Sequence, residues 1–203
     1  MIIASLSSNC FKPSRAILTG SCATINLFSC FCVIYWRFLL VEVNYDVKKE
    51  LKKWLSDAEK VVVAGIGNSI RMDDFVGVKI VQDLQGKLSD RVYLIECETV
   101  PESFIQEIMD FNPTHILLID AAILGLKPGE SRLIKPEQLT DFPVFSTHML
   151  PLRIFCEYLD KTTKAKIALL LIEPKKTDFG ERLTDEVETE AKEIANFLIK
   201  LLV

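Results

Sequence analysis

The chain has 203 residues, of which 26% are charged, and its formal net charge at pH 7 is −4. This length fits one domain of ordinary size with an additional segment. Because lysine and glutamate are scattered and no basic stripe is present, the composition argues against nucleic acid as a partner.

The first 45 residues differ from the rest of the chain. Four of the six cysteines lie here, namely Cys10, Cys22, Cys30 and Cys32. An apolar stretch over residues 23–36 ends at Arg37 and is shorter than the roughly 20 residues of a membrane helix. We interpret residues 1–45 as an N-terminal extension that is not part of the fold, followed by a domain over 46–203. A membrane anchor, lengthened by snorkelling of Arg37, remains the alternative.

Apolar residues after Asp46 recur with periods that alternate between helix and strand. Helical spacing marks residues 47–55, 76–84, 101–112, 152–159 and 184–201, and buried strands are predicted at 61–64, 92–96, 116–119, 131–135 and 166–172. The long apolar runs are typical of strands covered on both faces. The sequence therefore predicts an α/β three-layer sandwich, in which a mostly parallel, twisted five-stranded sheet has helices on both faces.

The first strand runs into a glycine turn that begins at Gly65, and the acid pair Asp73 and Asp74 follows. Carboxylates at a helix N-terminus are often structural. A dinucleotide-binding turn would need a third glycine where this chain has Ile70, and two acids would repel a pyrophosphate. A similar turn occurs in peptidyl-tRNA hydrolases, but their further histidine and asparagine signature is not matched. The turn alone does not define a phosphate site.

Three side chains are predicted to meet at the carboxyl edge of the sheet, where open α/β sheets bind ligands. Asp74 follows the first strand, Asp120 ends the third, and His148 lies in a loop before a helix. Two carboxylates and an imidazole suit a divalent ion with a position open for water or substrate. Each residue also has a structural alternative, which is a helix cap for Asp74, a paired buried acid for Asp120 and a packed loop residue for His148.

The remaining histidine and cysteines of the domain are predicted to be structural. His115 is expected at the amino end of the third strand, opposite the candidate site. Cys97 falls in a predicted strand and Cys156 in a predicted helix, where free cysteine acts as a small apolar residue. Without a CxxC pair, the domain is expected to be reduced and cytosolic.

The chain resembles the hydrogenase maturation endopeptidases, most closely the hydrogenase-3 type. The matching segments, in order and at compatible spacing over about residues 60–200, are 65–74 with Gly77, Pro101-Glu102, 113–130, 146–152 and Glu173-Pro174. Residues 1–45 have no counterpart in the family. One departure is Phe75, which stands where relatives often have glycine and is expected to narrow or reshape the mouth of the site.

The resemblance implies a peptidase that acts on the precursor of the [NiFe]-hydrogenase large subunit. Such an enzyme cuts once after a basic residue near the C-terminus and releases a short peptide from the nickel-loaded precursor. The family motif places the nickel contacts and the catalytic residues on Asp74, Asp120 and His148, with the nickel carried by the substrate. From the cysteine pattern and the short apolar run, we expect a cytoplasmic protein for which a membrane is an unexpected partner.

Two mechanisms and one different function stay open at this stage. The substrate's nickel can polarise the scissile carbonyl or activate a water, or the acids can act as a general base without metal. The alternative function is a non-catalytic recognition or chaperone module for the large subunit. Because neighbouring residues on a helix do not share a face, Asp73 is expected to support the helix start or the site and not to be a ligand beside Asp74.

Overall fold

Five strands form one sheet within residues 46–141 and 149–203, the part of the chain that the computed structural model describes. They are β1 (Val61–Ile66), β2 (Val92–Glu98), β3 (His115–Ala121), β4 (Ser131–Ile134) and β5 (Lys166–Ile172). Their order in the sheet is β2-β1-β3-β5-β4. All neighbours pair in parallel except β4, which is antiparallel to β5. The predicted mostly parallel five-stranded sheet is confirmed.

Helices cover both faces of this sheet, because alternate residues of the central strands enter two separate cores. The helices are α1 (Val47–Trp54), α2 (Val76–Leu84), α3 (Ile105–Phe111), α4 (Met149–Thr162) and α5 (Asp185–Leu202). One core contains Val61 and Val63 of β1 with residues of α1, α2 and α5. The other contains Val62 and Ala64 with residues of α3 and α4. This period-two alternation produces the predicted three layers.

Two helix ends agree with the signals in the sequence. The Asp46 side chain accepts hydrogen bonds from the backbone N–H groups of Lys48 and Lys49, at 3.1 and 3.2 Å, and so caps α1. Asn112 ends α3 in the left-handed region at φ 50°, directly before Pro113. Local capping chemistry therefore sets where these helices start and stop.

The glycine turn begins later than the sequence predicts. β1 continues through Gly65 to Ile66, and the chain leaves the strand at Gly67, whose φ is 146°. A Cβ on Gly65 would lie 2.3 Å from the carbonyl oxygen of Gly77. The prediction that the turn starts at Gly65 is wrong, because this glycine serves the close contact between β1 and the start of α2.

The described part of the domain carries two free, buried cysteines, Cys97 and Cys156. Burial raises the pKa of each thiol to about 12, so both stay neutral and pack as small apolar groups, as predicted. None of the helices in the described ranges combines the length and apolar character needed to span a bilayer. The predicted extension, residues 1–45, lies outside the described residues, and its separation from the domain stays a prediction.

Candidate active site

A cleft of about 470 Å³ opens at the carboxyl edge of the parallel strands. Segments that follow β1, β2, β3 and β5, together with the start of α4, line it. The lining side chains include both predicted acids, Asp74 and Asp120. The sheet topology therefore brings together two residues that are 46 positions apart, at the edge where such folds bind ligands.

Asp74 lies in a short 3₁₀ helix, Met72–Phe75, that folds back onto the end of β1. Its Oδ2 accepts a hydrogen bond from the Asn68 N–H at 3.1 Å. Its carbonyl oxygen would lie 1.9 Å from a Cβ on Gly67, so only glycine allows this approach. The Asn68 N–H, which a bound phosphate would need as a donor, already donates to the Asp74 carboxylate. This geometry argues against the dinucleotide alternative.

Asp120 lies one residue inside the end of β3 and is only 7% exposed. Its Oδ1 accepts a hydrogen bond from the Ala121 N–H at 2.8 Å, and no other described residue donates to this carboxylate. Burial, with a further contribution from the negative charge of Asp74, raises the pKa of Asp120 to about 8, although the Ala121 N–H opposes the rise. A cation in the cleft would offset both causes and favour the ionised form.

Asp73, the neighbour of Asp74, is fully buried and is bound to a distant part of the chain. Its carboxylate accepts hydrogen bonds from the N–H groups of Lys175 and Lys176, both at 2.9 Å, and from the N–H and hydroxyl of Thr184, at 2.6 and 2.9 Å. Thr184 directly precedes α5, at the predicted start of the helix, but its hydroxyl binds Asp73 and does not cap the helix's own N–H groups. Asp73 therefore holds the turn that carries Asp74, consistent with its predicted supporting role.

Arg71 and its neighbours make further contacts between the turn that carries Asp74 and the segment that follows β5. The Arg71 guanidinium donates two hydrogen bonds to the carbonyl oxygen of Thr177, at 3.0 and 3.2 Å. Backbone hydrogen bonds of 2.9 Å join Met72 N–H to the Gly180 carbonyl and Gly180 N–H to the Ile70 carbonyl. We call this set of contacts between residues 70–73 and residues 175–184 the clasp. The sequence does not predict the clasp, because no local periodicity indicates contacts between residues that are about 100 positions apart.

Glu173 fixes the loop that follows β3. Its buried carboxylate accepts hydrogen bonds from the N–H groups of Leu124 and Leu126, at 2.6 and 3.1 Å. The Glu173-Pro174 pair belongs to the segments that resemble the hydrogenase maturation endopeptidases. In the structure Glu173 shapes one side of the cleft, since the anchored loop includes Ile123, which lines it.

The third predicted residue, His148, lies outside the described residues, and its part in the site stays a prediction. Within residues 46–141 and 149–203, no three histidine, cysteine or acidic side chains are grouped so that they could hold a metal ion. His115 is buried at the amino end of β3, with its ring 4.9 Å from that of Trp54. Burial lowers the pKa of His115 and so favours a neutral, packed side chain away from the cleft.

Phe75 occupies the position where a glycine is frequent in the family it resembles. It is half-buried at the end of the 3₁₀ helix and is not among the described residues that line the cleft. The expectation that Phe75 narrows or reshapes the mouth of the site therefore stays a prediction.

These features define an α/β protein whose sheet edge carries an acidic cleft with one strongly perturbed carboxylate. The family model of hydrogenase maturation proteases, HycI, matches residues 78–201. A protein of Methanocaldococcus jannaschii named as a hydrogenase maturation protease is 35% identical over 164 residues, which is 77% of this chain and 96% of that one. The hydrogenase 3 maturation protease of Escherichia coli K12 is 30% identical over 132 residues, 63% of this chain and 84% of that one.

A solved structure of a hydrogenase maturation protease is similar to this chain. The crystal structure of the [NiFe] hydrogenase maturation protease HycI from Thermococcus kodakarensis superimposes with a TM-score of 0.70 at 30% identity, covering 75% of this chain and 98% of that one. The chain belongs to the hydrogenase maturation protease family, and it is a peptidase. The predicted family, enzyme class and fold are thus confirmed.

Proposed function

We propose that this peptidase removes a C-terminal peptide from the nickel-loaded precursor of the [NiFe]-hydrogenase large subunit. The observation that carries the proposal is the pairing of Asp74 with the buried Asp120 in one cleft of a hydrogenase maturation protease fold. We place this reaction in the cytoplasm, as expected from the sequence.

The charge state of the cleft supports recognition of a cationic centre in the substrate. Asp120 is buried beside Asp74, and its pKa near 8 reflects two unfavourable contributions to its charged form. A divalent ion held by the substrate would offset both unfavourable contributions, because it replaces the lost hydration of Asp120 and screens the charge of Asp74. In the proposal, Asp74, Asp120 and His148 contact the nickel that the precursor carries, so that cleavage follows metal insertion.

The same carboxylates can serve hydrolysis in two ways. The substrate's nickel polarises the scissile carbonyl or a water that Asp74 and Asp120 orient. Alternatively, one carboxyl group of the pair takes a proton from the attacking water and the other gives one to the leaving amine, as in aspartic-type peptidases. The unequal surroundings of the two acids, half-buried Asp74 and buried Asp120, fit either route.

The test uses purified enzyme with nickel-loaded and nickel-free large-subunit precursor. We expect cleavage of the nickel-loaded form only, detected as a shortened large subunit and an identified released peptide by mass spectrometry. Asp74→Asn, Asp120→Asn and His148→Ala are each expected to abolish processing. Asp160→Asn, the same charge change at an exposed position of α4, serves as the matched control and should retain full activity.

The possible outcomes separate the parts of the proposal. Equal cleavage of both precursors would remove nickel recognition but keep the peptidase. Binding of the precursor without cleavage would favour the recognition or chaperone module. Full activity of the His148→Ala variant would exclude this residue from the site while leaving Asp74 and Asp120 in place.

A further inference from the structure

The described loops at the carboxyl edge of the sheet present large apolar side chains to solvent. Ile70 follows β1, Val100 follows β2, Ile123 follows β3 and Phe179 follows β5, with exposed fractions of 52%, 45%, 63% and 85%. Single exposed apolar residues are normal in proteins. These four share one edge of the molecule although they come from four separate loops, and we call them the apolar rim.

The apolar rim borders the cleft. Ile123 itself lines the cleft, and each of the other three lies within two residues of a lining residue. Those neighbouring lining residues are Arg71, Thr99, Pro101 and Thr177. Ile70 and Phe179 lie in the two segments that the clasp joins, after β1 and β5, whereas Val100 and Ile123 follow β2 and β3.

Phe179 is exposed although the backbone around it is fixed. The Thr177 carbonyl accepts two hydrogen bonds from the Arg71 guanidinium. The Gly180 N–H donates to the Ile70 carbonyl, and the Gly180 carbonyl accepts from the Met72 N–H. The exposure therefore does not result from a loose loop. Because the backbone is already fixed, association costs less conformational freedom, and aromatic residues are enriched in protein interfaces.

The size of the cleft indicates what covers the rim. A volume of about 470 Å³ is that of a site for one small molecule, so only a few residues of a polypeptide can enter it. The enzyme is a protease, and Asp120 lies almost fully buried in this cleft. The remainder of a protein substrate must then lie over the rim while its scissile segment reaches Asp120.

We propose that the apolar rim is a docking surface for the folded body of the protein substrate, which presents apolar residues around its cleavable tail. This inference rests on the proposed function and extends it from the cleaved bond to the surrounding surface. A lipid surface is the less suitable occupant, because the exposed acids Glu102 and Asp178 lie next to the rim.

The experiment compares Phe179→Ser and Ile123→Ser with the wild type and with Val203→Ser. Val203 is 76% exposed at the end of α5, where Leu202 contacts Arg91 near the amino end of the sheet, so it is a matched control. The readouts are the affinity for nickel-loaded precursor, measured by calorimetry, and the KM and kcat of processing. We expect each rim variant to weaken binding and raise KM about tenfold, with kcat within twofold and unchanged thermal stability.

Further variants distinguish the possible results. Phe179→Leu, which keeps an apolar side chain, should restore most of the affinity. Unchanged affinity and KM in both serine variants, with normal cleavage, would overturn the docking surface and leave the proposed function intact. A wild-type enzyme that neither binds nor cuts the precursor would overturn both. Rim-dependent binding to phosphatidylcholine–phosphatidylglycerol vesicles, with unchanged affinity for the precursor, would assign the rim to lipid and refute the proposal.

Discussion

The position of Asp120 in the cleft disfavours the charged form of its carboxyl group and so reduces the stability of the fold. Its carboxyl group lies in an apolar strand end, receives one backbone hydrogen bond and faces the like charge of Asp74. Burial and the charge of Asp74 favour the neutral form of the carboxyl group, whereas the hydrogen bond favours the charged form. The residue is therefore costly when ionised, and the cationic substrate centre that we propose would relieve this cost.

We expect Asp120→Asn to abolish processing and to stabilise the fold at high pH. The folded pKa near 8 lies above the usual unfolded value of about 3.9, so the wild type loses stability as pH rises between these values, by at most about 1.4 kcal/mol per pH unit. The asparagine variant lacks this loss. Urea unfolding at pH 5 and pH 8 should show a larger advantage of the variant at pH 8.

The control for this measurement is Asp160→Asn, whose exposed side chain should leave the pH dependence unchanged. An Asp120→Asn variant that is destabilised equally at both pH values would contradict the burial argument. It would mean that the charged carboxylate is stabilised in the fold by partners other than the Ala121 N–H.

Asp73 differs from Asp120, because four hydrogen bonds reach its buried carboxylate. We expect Asp73→Ala to reduce the free energy of unfolding by about 3 kcal/mol or more, since three backbone N–H groups and one hydroxyl lose a charged acceptor. Processing should fall as well, because the turn that carries Asp74 loses its support. Denaturant unfolding and the processing assay provide the two readouts.

Asp178→Ala gives the comparison for Asp73, since Asp178 is an exposed acid in the segment that the clasp holds. It should change stability by less than about 0.5 kcal/mol. If both substitutions had equally small effects on stability, the four hydrogen bonds of Asp73 would not be holding the clasp together.

At the scale of elements, the site depends on backbone contacts that leave no space for a side chain. The 3₁₀ helix of Asp74 lies directly on the turn after β1, and the Asp74 carbonyl fills the space beside Gly67. Gly77 at the start of α2 makes a similar approach, with a Cβ only 2.1 Å from the Ile119 carbonyl oxygen. Close packing of α2 on β1 and β3 thus sets the position of Asp74.

We expect Gly67→Ala to unfold the site, whereas Gly125→Ala is tolerated. Both glycines have positive φ, at 146° and 74°, but nothing lies within 4 Å of a Cβ on Gly125. Gly125→Ala should therefore cost about 1 kcal/mol of conformational strain. Gly67→Ala adds a collision with Asp74 and should lose activity and several degrees of melting temperature. Equal stability of the two variants would contradict the close approach.

The elements were predictable from the sequence where local patterns determine them. Apolar periodicity predicts every strand of the described sheet, and the chain order of strands and helices predicts that Asp74 and Asp120 meet at its carboxyl edge. The clasp was not predictable, because Asp73 binds residues whose positions differ from its own by 102 to 111. The extension of β1 through Gly65 was also missed, since its cause is a tertiary contact with Gly77.

At the scale of the whole molecule, residues 46–203 contain every described strand and helix and the entire 78–201 family match. The relative from M. jannaschii aligns over 96% of its own length with only 77% of this chain. We therefore predict that a chain starting at Asn44 folds and processes the precursor at the wild-type rate. Circular dichroism and the processing assay test this, and loss of either property would make residues 1–43 part of the working enzyme.

The clasp also determines when the enzyme becomes competent during its own synthesis. The turn after β1 emerges early, but the carboxylate of Asp73 has no partners until Lys175, Lys176 and Thr184 have followed. Strand β5, which completes the parallel part of the sheet beside β3, also comes late in the chain. A nascent or truncated protease that ends before residue 175 therefore cannot support Asp74. The topology therefore delays completion of the proposed active-site cleft until nearly the whole polypeptide has been made.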